Sequence, residues 1–373
     1  MTQADRVSGR RSWWVVAGGA VALVAVAAII VGITRSAAHP EPHKAAALHS
    51  PRLLRYAVVA HTKVGENPWV ITDSSAVFVV QPSGRLVRLD ADTLHVAAAR
   101  TIRGARESVI WLAYGGGLVW GADPSAHRLL AFNPNTLQVA HAIAVDGEPA
   151  NVAFGDGSAW MTVTQPLPTR GTRHVLERID PTSGHVTGHT ILTGTRGSEE
   201  IVVGDVVAVD GLNAHKIELV DPAGMRVVRT VSVGRAWPPG IPTGLIGPPR
   251  LATVNGQIYL MTSNGKIVRL SADGPESTVF TNTPSTGIHI LPGTSMTSGQ
   301  GLLWITGPHR CFGIDPALGR ITAGAAVPGQ TTAPGEAGSG WVLGNSGPAT
   351  ANGPVFAVTS GTNLNYTLER LAP

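Results

Sequence analysis

With one cysteine, Cys311, in 373 residues, the chain can form no intrachain disulfide and no metal site built from several thiolates. Cys311 itself reads as a small apolar residue on a strand rather than a catalytic thiol. Charged residues make up only 14% of the chain and aromatic residues 5%, and long helices are not expected after residue 50. What the chain has instead is 45 Gly and 27 Pro without a fixed Gly triplet, and Val and Thr spread evenly. That composition suits many short strands joined by tight turns. At 43% hydrophobic residues the chain can bury a large core, and one large all-β domain fits better than two ordinary ones.

The sequence pI of about 9.6 raises the question of an anionic partner, so the charge must first be located. Residues 1–50 hold Arg6, Arg10, Arg11, Arg35 and Lys44 against Asp5 and Glu41, leaving 23 basic and 22 acidic residues beyond position 50. The folded part is nearly neutral, with no basic stripe interleaved with aromatics, and no nucleic-acid partner is expected.

From Trp13 to Ile33 the chain runs 21 residues without a charge. At a helical rise of about 1.5 Å per residue this matches a hydrocarbon core of roughly 30 Å. Three arginines precede it closely and only Arg35 and Lys44 follow, which puts the N-terminus in the cytoplasm and the remainder outside. Trp13 and Trp14 suit the interfacial belt. The competing reading is a cleaved export signal, for which Arg10-Arg11 and Ser36-Ala37-Ala38 would serve. The apolar run is longer than an ordinary signal core, and an uncleaved anchor is preferred.

Two signatures recur in step along the rest of the chain. In the first, a small residue is followed three positions later by an aromatic or Val: Ser75 to Phe78, Gly117 to Trp120, Gly157 to Trp160, Gly204 to Val207, Gly256 to Tyr259, Gly301 to Trp304 and Gly338 to Trp341. The second lies one strand later: Leu89-Asp90, Phe132-Asn133-Pro134, Ile179-Asp180-Pro181, Val220-Asp221-Pro222, Leu270-Ser271, Ile314-Asp315-Pro316 and a weak Leu371-Ala372-Pro373. Asp or Asn bonds to backbone two residues on, Pro presets the turn, and Gly184, Gly224, Gly274 and Gly319 are expected to accept positive φ. Each repeat reads as four strands, clearest over 151–194. Such a unit buries both sheet faces only when stacked on its neighbours around an axis.

The expected fold class is therefore all-β: a seven-bladed β-propeller of four-stranded antiparallel blades, preceded by one N-terminal transmembrane helix. The last repeat ends after its third strand, at 366–371, and the segment 54–64 is expected to supply the missing outer strand and close the ring. The expected division is a cytoplasmic N-terminus (1–12), a transmembrane signal anchor (13–34), a tether (35–51) and a propeller (52–373). The blades fall at about 66–104, 105–147, 148–194, 195–234, 247–281, 297–329 and 335–373.

The Gly-x-x-Trp strands and the turn Arg178-Ile179-Asp180-Pro181-Thr182-Ser183-Gly184 make residues 52–373 resemble seven-bladed propellers of YVTN and NHL type repeats, including the virginiamycin B lyase-like group. The resemblance implies a blade, not an activity, because relatives range from lyases to scaffolds and sensors. Lyases of that group use histidines, acids and a divalent metal near the channel, but no local motif here aligns to those residues. A quinone dehydrogenase is a weaker match, since the outer strands here end in Val or Ile and no haem-attachment motif is present.

Of the 13 histidines, His39, His43 and His49 fall in the tether, and His95, His141, His185 and His189 fall in or beside outer strands. No catalytic residue and no metal ligand is assigned, and no cofactor is expected. Binding loops of propellers gather where blades connect and where second strands lead to third ones. The longest such connections are 165–172, 235–249, 282–298, 330–338 and 344–353. On or beside them the ligand-binding candidates are Trp237, Arg250, His289, His309, Arg310 and Glu336. Trp237, in Ala-Trp-Pro-Pro-Gly, is an aromatic on a stiffened loop, with plugging of the channel as its plainer role. His309-Arg310 suits an anion, with a solvated turn as the plainer role.

These features point to a single-pass plasma-membrane protein, monomeric, whose extracytoplasmic propeller binds a protein, peptide or glycan and performs no catalysis. The alternative is a lyase or lactonase of the virginiamycin B lyase-like type with a divalent metal at the channel mouth. A sensory role, with the signal passed to a partner, is a third.

Overall fold

The computed structural model describes residues 54–66, 68–73, 75–102, 111–168, 170–193, 200–211, 216–232, 251–262, 266–281, 296–306, 310–326, 341–343, 355–360 and 365–373. Every element among them is a strand except one 3₁₀ turn, Pro124–Ala126. The expected transmembrane segment and tether lie outside the described residues.

The strands form seven four-stranded antiparallel blades, each running from an inner strand to an outer one. Blade 1 comprises Trp69–Thr72, Ala76–Val80, Arg85–Asp90 and Val96–Thr101, and blade 2 Leu112–Gly115, Leu118–Asp123, Arg128–Phe132 and Val139–Ala144. Blade 3 comprises Glu148–Gly155, Ser158–Pro166, Thr172–Ile179 and Val186–Leu192, and blade 4 Glu200–Val203, Val207–Gly211, Lys216–Asp221 and Arg226–Ser232. Blade 5 comprises Leu251–Val254, Gln257–Met261, Lys266–Leu270 and Ser277–Thr281, and blade 6 Met296–Gly299, Leu302–Thr306, Arg310–Asp315 and Arg320–Ala326. Blade 7 has Trp341–Leu343, Val355–Ser360 and Asn365–Ala372.

The fourth strand of blade 7 is the opening strand, Leu54–Glu66, antiparallel to Asn365–Ala372 with Lys63 opposite Thr367 and His61 opposite Glu369. The ring is thus closed by pairing the two ends of the described chain. The first residues of the same strand, Leu54 to Tyr56, also run parallel to Ala323–Ala325 and join blade 6 to blade 7.

Why the blades stack follows from their burial. Outer strands are mostly exposed, as in Val96–Thr101, whereas second strands such as Ala76–Val80 are buried throughout. Apolar side chains on both faces of each sheet meet those of the neighbours in seven clusters, one at each blade interface. Within them the recurring aromatic has one geometry: Trp120, Trp160 and Trp304 are fully buried, and each Nε1 donates to a carbonyl five residues back, Gly115, Gly155 and Gly299, at 3.0–3.1 Å. The ring fills the interface, and its one polar atom is satisfied at the end of the inner strand. Blades approach so closely there that a Cβ on Gly115 would lie 2.0 Å from Phe154 of blade 3.

The turns between third and outer strands are built as the sequence implies. Asp180 Oδ1 accepts from the Thr182 and Ser183 amides and the Ser183 hydroxyl, and Asp90, Asn133, Asp221 and Asp315 accept from backbone amides in the same way. Positive φ occurs four residues after the acceptor, at Leu94, Leu137, Gly184, Met225 and Gly319. Gly184 and Gly319 therefore have the expected role, while in blade 4 it falls to Met225 rather than Gly224, and Gly274 in blade 5 does not take a positive φ. Leu94 and Leu137 take this conformation because their side chains are buried in the blade interface, which offsets the backbone cost. Arginines tie these turns to the preceding blade: Arg178 Nη1 donates to the Pro222 carbonyl at 2.9 Å, Arg229 reaches Ser271, Gly274 and Glu276, and Arg370 pairs with Asp92 at 2.8 Å across the closure.

Blade 7 departs from the expected reading. Trp341 opens the inner strand, not the second one, and the second strand is Val355–Ser360 with Phe356 fully buried at the recurring aromatic position. The matching spacing is Gly353 to Phe356 rather than Gly338 to Trp341. The segment 344–353 consequently joins inner to second strand and does not belong with the blade-to-blade connections. Cys311, on the third strand of blade 6, is buried, and burial first and the Glu369 charge second push its thiol up to about 12.

Candidate functional site

Strand direction gives the ring two unlike faces. On one, the turn face, lie the inner-to-second hairpins and the third-to-outer turns. The hairpins are two-residue turns with both φ positive at Gly116-Gly117, Asp156-Gly157, Asn255-Gly256 and Gln300-Gly301. On the other, the loop face, lie the blade-to-blade connections and the second-to-third ones. The connections after Thr193, Ser232, Thr281 and Ala326 all belong to it.

Charge is unevenly shared between these faces, although Arg226 and Arg320 are exposed at the turn-face starts of their outer strands. The third strands begin on the loop face with Arg85, Arg128, Lys216, Lys266 and Arg310 in blades 1, 2, 4, 5 and 6, and blade 3 has Arg173 as its second residue. Arg85, Arg173, Lys216 and Lys266 are exposed. Arg128 is held by the buried Asp123 carboxylate through Nε at 2.9 Å and Nη2 at 2.8 Å, and Arg173 Nε donates to Gln165 Oε1 at 2.6 Å. The same strands end on the turn face at Asp90, Asp221 and Asp315, with Asp180 directly after the third strand of blade 3, and Asp92, Asp156, Asp205, Asp273 and Glu276 are exposed on that face too. Amides and hydroxyls of Thr93 and Ser183 hold the Asp90 and Asp180 carboxyls below their ordinary range. Asp146 and Glu148 are the exposed acids of the loop face between blades 2 and 3.

The same face carries an aromatic pair. Trp69 and Trp111, both half-buried, meet edge to face with ring centroids 4.4 Å apart and planes at 87°, and Trp69 Nε1 donates to the Leu112 carbonyl at 3.4 Å. They occupy the same place in their repeats. Trp69 pairs with Val80, and Trp111 accepts from the Ala122 amide, each two residues beyond the recurring aromatic, Phe78 or Trp120. Trp341 holds that register in blade 7, opposite Val358. Three adjacent blades, 7, 1 and 2, thus have a tryptophan at the head of the inner strand, as its first residue in Trp341 and Trp69 and one residue before it in Trp111.

Of the six residues singled out from sequence, Trp237, Arg250, His289, His309 and Glu336 lie outside the described residues. Arg310 is placed, as the first residue of the third strand of blade 6, opposite Ala326. Sequence reading missed the collar to which it belongs, although Arg85, Arg128, Lys216, Lys266 and Arg310 each stand five residues before the turn residue Asp90, Asn133, Asp221, Ser271 or Asp315. It likewise missed the tryptophan register. The histidines fall as expected, with His141 and His189 on outer strands and His95 and His185 just before them. Among the described residues no three His, Cys, Asp or Glu side chains converge on a point that would hold a metal ion.

No protein-family model matches the chain, and no well-characterised protein matches it by sequence. Solved structures do match in shape. The WD40 β-propeller domain of Doa1 aligns with a TM-score of 0.56 at 13% identity, covering 85% of this chain and 96% of that one. The β-propeller domain of Cps50 (Swd1) from Myceliophteria thermophila aligns at 0.54 and 10% identity, covering 83% and 99%. These are likenesses of fold alone. BamB from Moraxella catarrhalis aligns at 0.46 and 13% identity over 83% of this chain and 85% of its own.

Proposed function

We propose that the chain is a membrane-tethered, extracytoplasmic binding module whose loop face holds a protein, peptide or glycan ligand and which performs no chemistry. The observation that carries this reading is the inequality of the two faces. The turn face is spent on short hairpins and carboxylate-capped turns that repeat from blade to blade, whereas the loop face bears the long connections, the paired tryptophans and the basic strand ends. Propeller loops on a rigid ring are a common place for recognition, because loop changes leave the stacked core untouched. The anchor reading is supported by the uncharged run Trp13–Ile33 and the arginines before it. The repeat type, YVTN or NHL, is supported by the buried Trp bonded to the inner-strand carbonyl and by the Asp-Pro turns.

The test is site-specific photo-cross-linking in the native membrane, with a photoreactive residue at Arg85 or Lys216 on the loop face and at Asp92 or Asp156 on the turn face. Cross-linked adducts from the loop-face positions and none from the turn-face positions are expected. Adducts confined to the turn face would refute the assignment. Addition of divalent cations with and without chelator, read as melting temperature, separates this reading from a metal-dependent lyase or lactonase, which alone predicts a chelator-reversible rise.

A further inference from the structure

We propose that the partner docked on the loop face is an acidic protein, with Trp69 and Trp111 as the aromatic centre of the interface and the basic residues that open the third strands as its rim. This rests on the reading of that face as the ligand surface and names the chemistry of its partner. The third strands lie outside the inner strands in every blade, so the exposed Arg85, Arg173, Lys216 and Lys266 of blades 1, 3, 4 and 5 stand outside the heads of the inner strands, on the face where the tryptophans of blades 1 and 2 sit. An aromatic centre within a polar rim is the ordinary anatomy of a protein interface, and Trp and Arg are the residues that most often dominate its energy. The collar supplies steering and selectivity for an acidic surface and works against a basic one.

A stacked sugar chain fits this geometry less well. With the two indole planes at 87°, the pair offers one ring face and one edge rather than a flat platform for successive rings. Such a corner suits a protruding apolar side chain of a protein. Overall neutrality of the folded part does not oppose the proposal, because many of the acids that balance the collar sit on the opposite face, four of them, Asp90, Asp180, Asp221 and Asp315, fixed as turn caps, and the exposed acids Asp146 and Glu148 of the loop face are confined to the connection between blades 2 and 3.

The experiment uses the full-length chain in lipid nanodiscs, a fluorescein-labelled oligo-glutamate peptide, an oligo-lysine peptide and a sulfated oligosaccharide, with fluorescence anisotropy as readout. The wild-type protein is expected to bind oligo-glutamate in a salt-sensitive manner and not oligo-lysine. The triple variant Arg85→Glu, Lys216→Glu, Lys266→Glu is expected to bind oligo-glutamate roughly tenfold or more weakly and to gain affinity for oligo-lysine, while a cooperative melting transition like that of the wild type shows that it is folded. Equal binding of oligo-glutamate by wild type and variant overturns the proposal. So does binding of the sulfated oligosaccharide without the peptide, which would assign the collar to an anionic glycan. If these fail while loop-face cross-links persist, the binding-module reading stands and only the acidic partner is refuted; loss of the loop-face cross-links removes both.

Discussion

Replacing Lys63 and Thr367 together by cysteine is expected to produce a disulfide that locks the ring. The two residues are register partners between the opening strand and the last strand. Antiparallel partners have Cα atoms about 4.5–5.5 Å apart, inside the window of roughly 4.4–6.8 Å that a disulfide requires. The bond would enclose a loop of about 300 residues, for which chain entropy gives a ceiling of about 5–6 kcal/mol of stabilisation. The assay is urea unfolding followed by tryptophan fluorescence, with and without reductant, after mobility on a non-reducing gel has shown the cross-link. Because alternate residues of a strand face opposite sides, Lys63→Cys paired with Leu368→Cys should cross-link poorly and serves as the register control. Cys311, fully buried, does not compete. Equal cross-linking of both pairs, or an unmoved urea midpoint in the oxidised Lys63/Thr367 variant, would refute closure of the ring by these two strands.

Trp160→Ala is expected to cost about 3–5 kcal/mol, since it empties a fully buried site between blades 3 and 4. Trp160→Phe keeps most of the ring but removes the bond to the Gly155 carbonyl, and a smaller loss of about 1–3 kcal/mol is expected from the same denaturation curves. For Asp90 and Asp180, whose carboxyls are held below the ordinary range in the fold, the turn contribution is present above the unfolded carboxylate range and is lost as pH falls below it. Asp180→Ala should therefore lower stability at neutral pH and flatten the acid limb of a melting-temperature profile. Glu177 has the opposite sign: burial raises its carboxyl and Oε2 has no hydrogen-bond partner, so its fold favours the protonated form and loses stability as pH rises above the ordinary value. Glu177→Gln should remove that loss, read as a higher melting temperature at neutral pH. Native Cys311 should react with a maleimide only as fast as the fold opens, with labelling accelerated by sub-denaturing urea.

Most of the architecture is legible in the sequence because one residue pattern recurs for a local reason each time. Gly157 to Trp160 encodes a tight hairpin and an interface filler, and Asp180-Pro181 encodes a turn whose side chain caps its own backbone. The start of blade 7 is not legible in this way because two spacings compete there, and only pairing with the last strand decides for Phe356 over Trp341. Positive φ at Leu94 and Leu137 is hidden too, since tertiary burial outweighs the local preference for Gly. The site is harder to see than the fold. Net charge conceals the collar, because Lys216 and Asp221 cancel in a sum although a strand's length puts them on opposite faces. Trp69 and Trp111 are 42 positions apart and meet only through the stacking of blades 1 and 2. Recurrence of a basic residue five positions before the turn in blades 1, 2, 4, 5 and 6 is the available signal for the collar.

Hydrogen exchange read by mass spectrometry on the full-length chain, with and without saturating oligo-glutamate peptide, tests the central claim most directly. Protection concentrated at the loop-face strand ends, around Trp69, Arg85, Trp111, Lys216 and Lys266, is the predicted result. Protection concentrated instead at the turns 90–94, 133–137 and 180–184, with the loop-face ends unchanged, would contradict it.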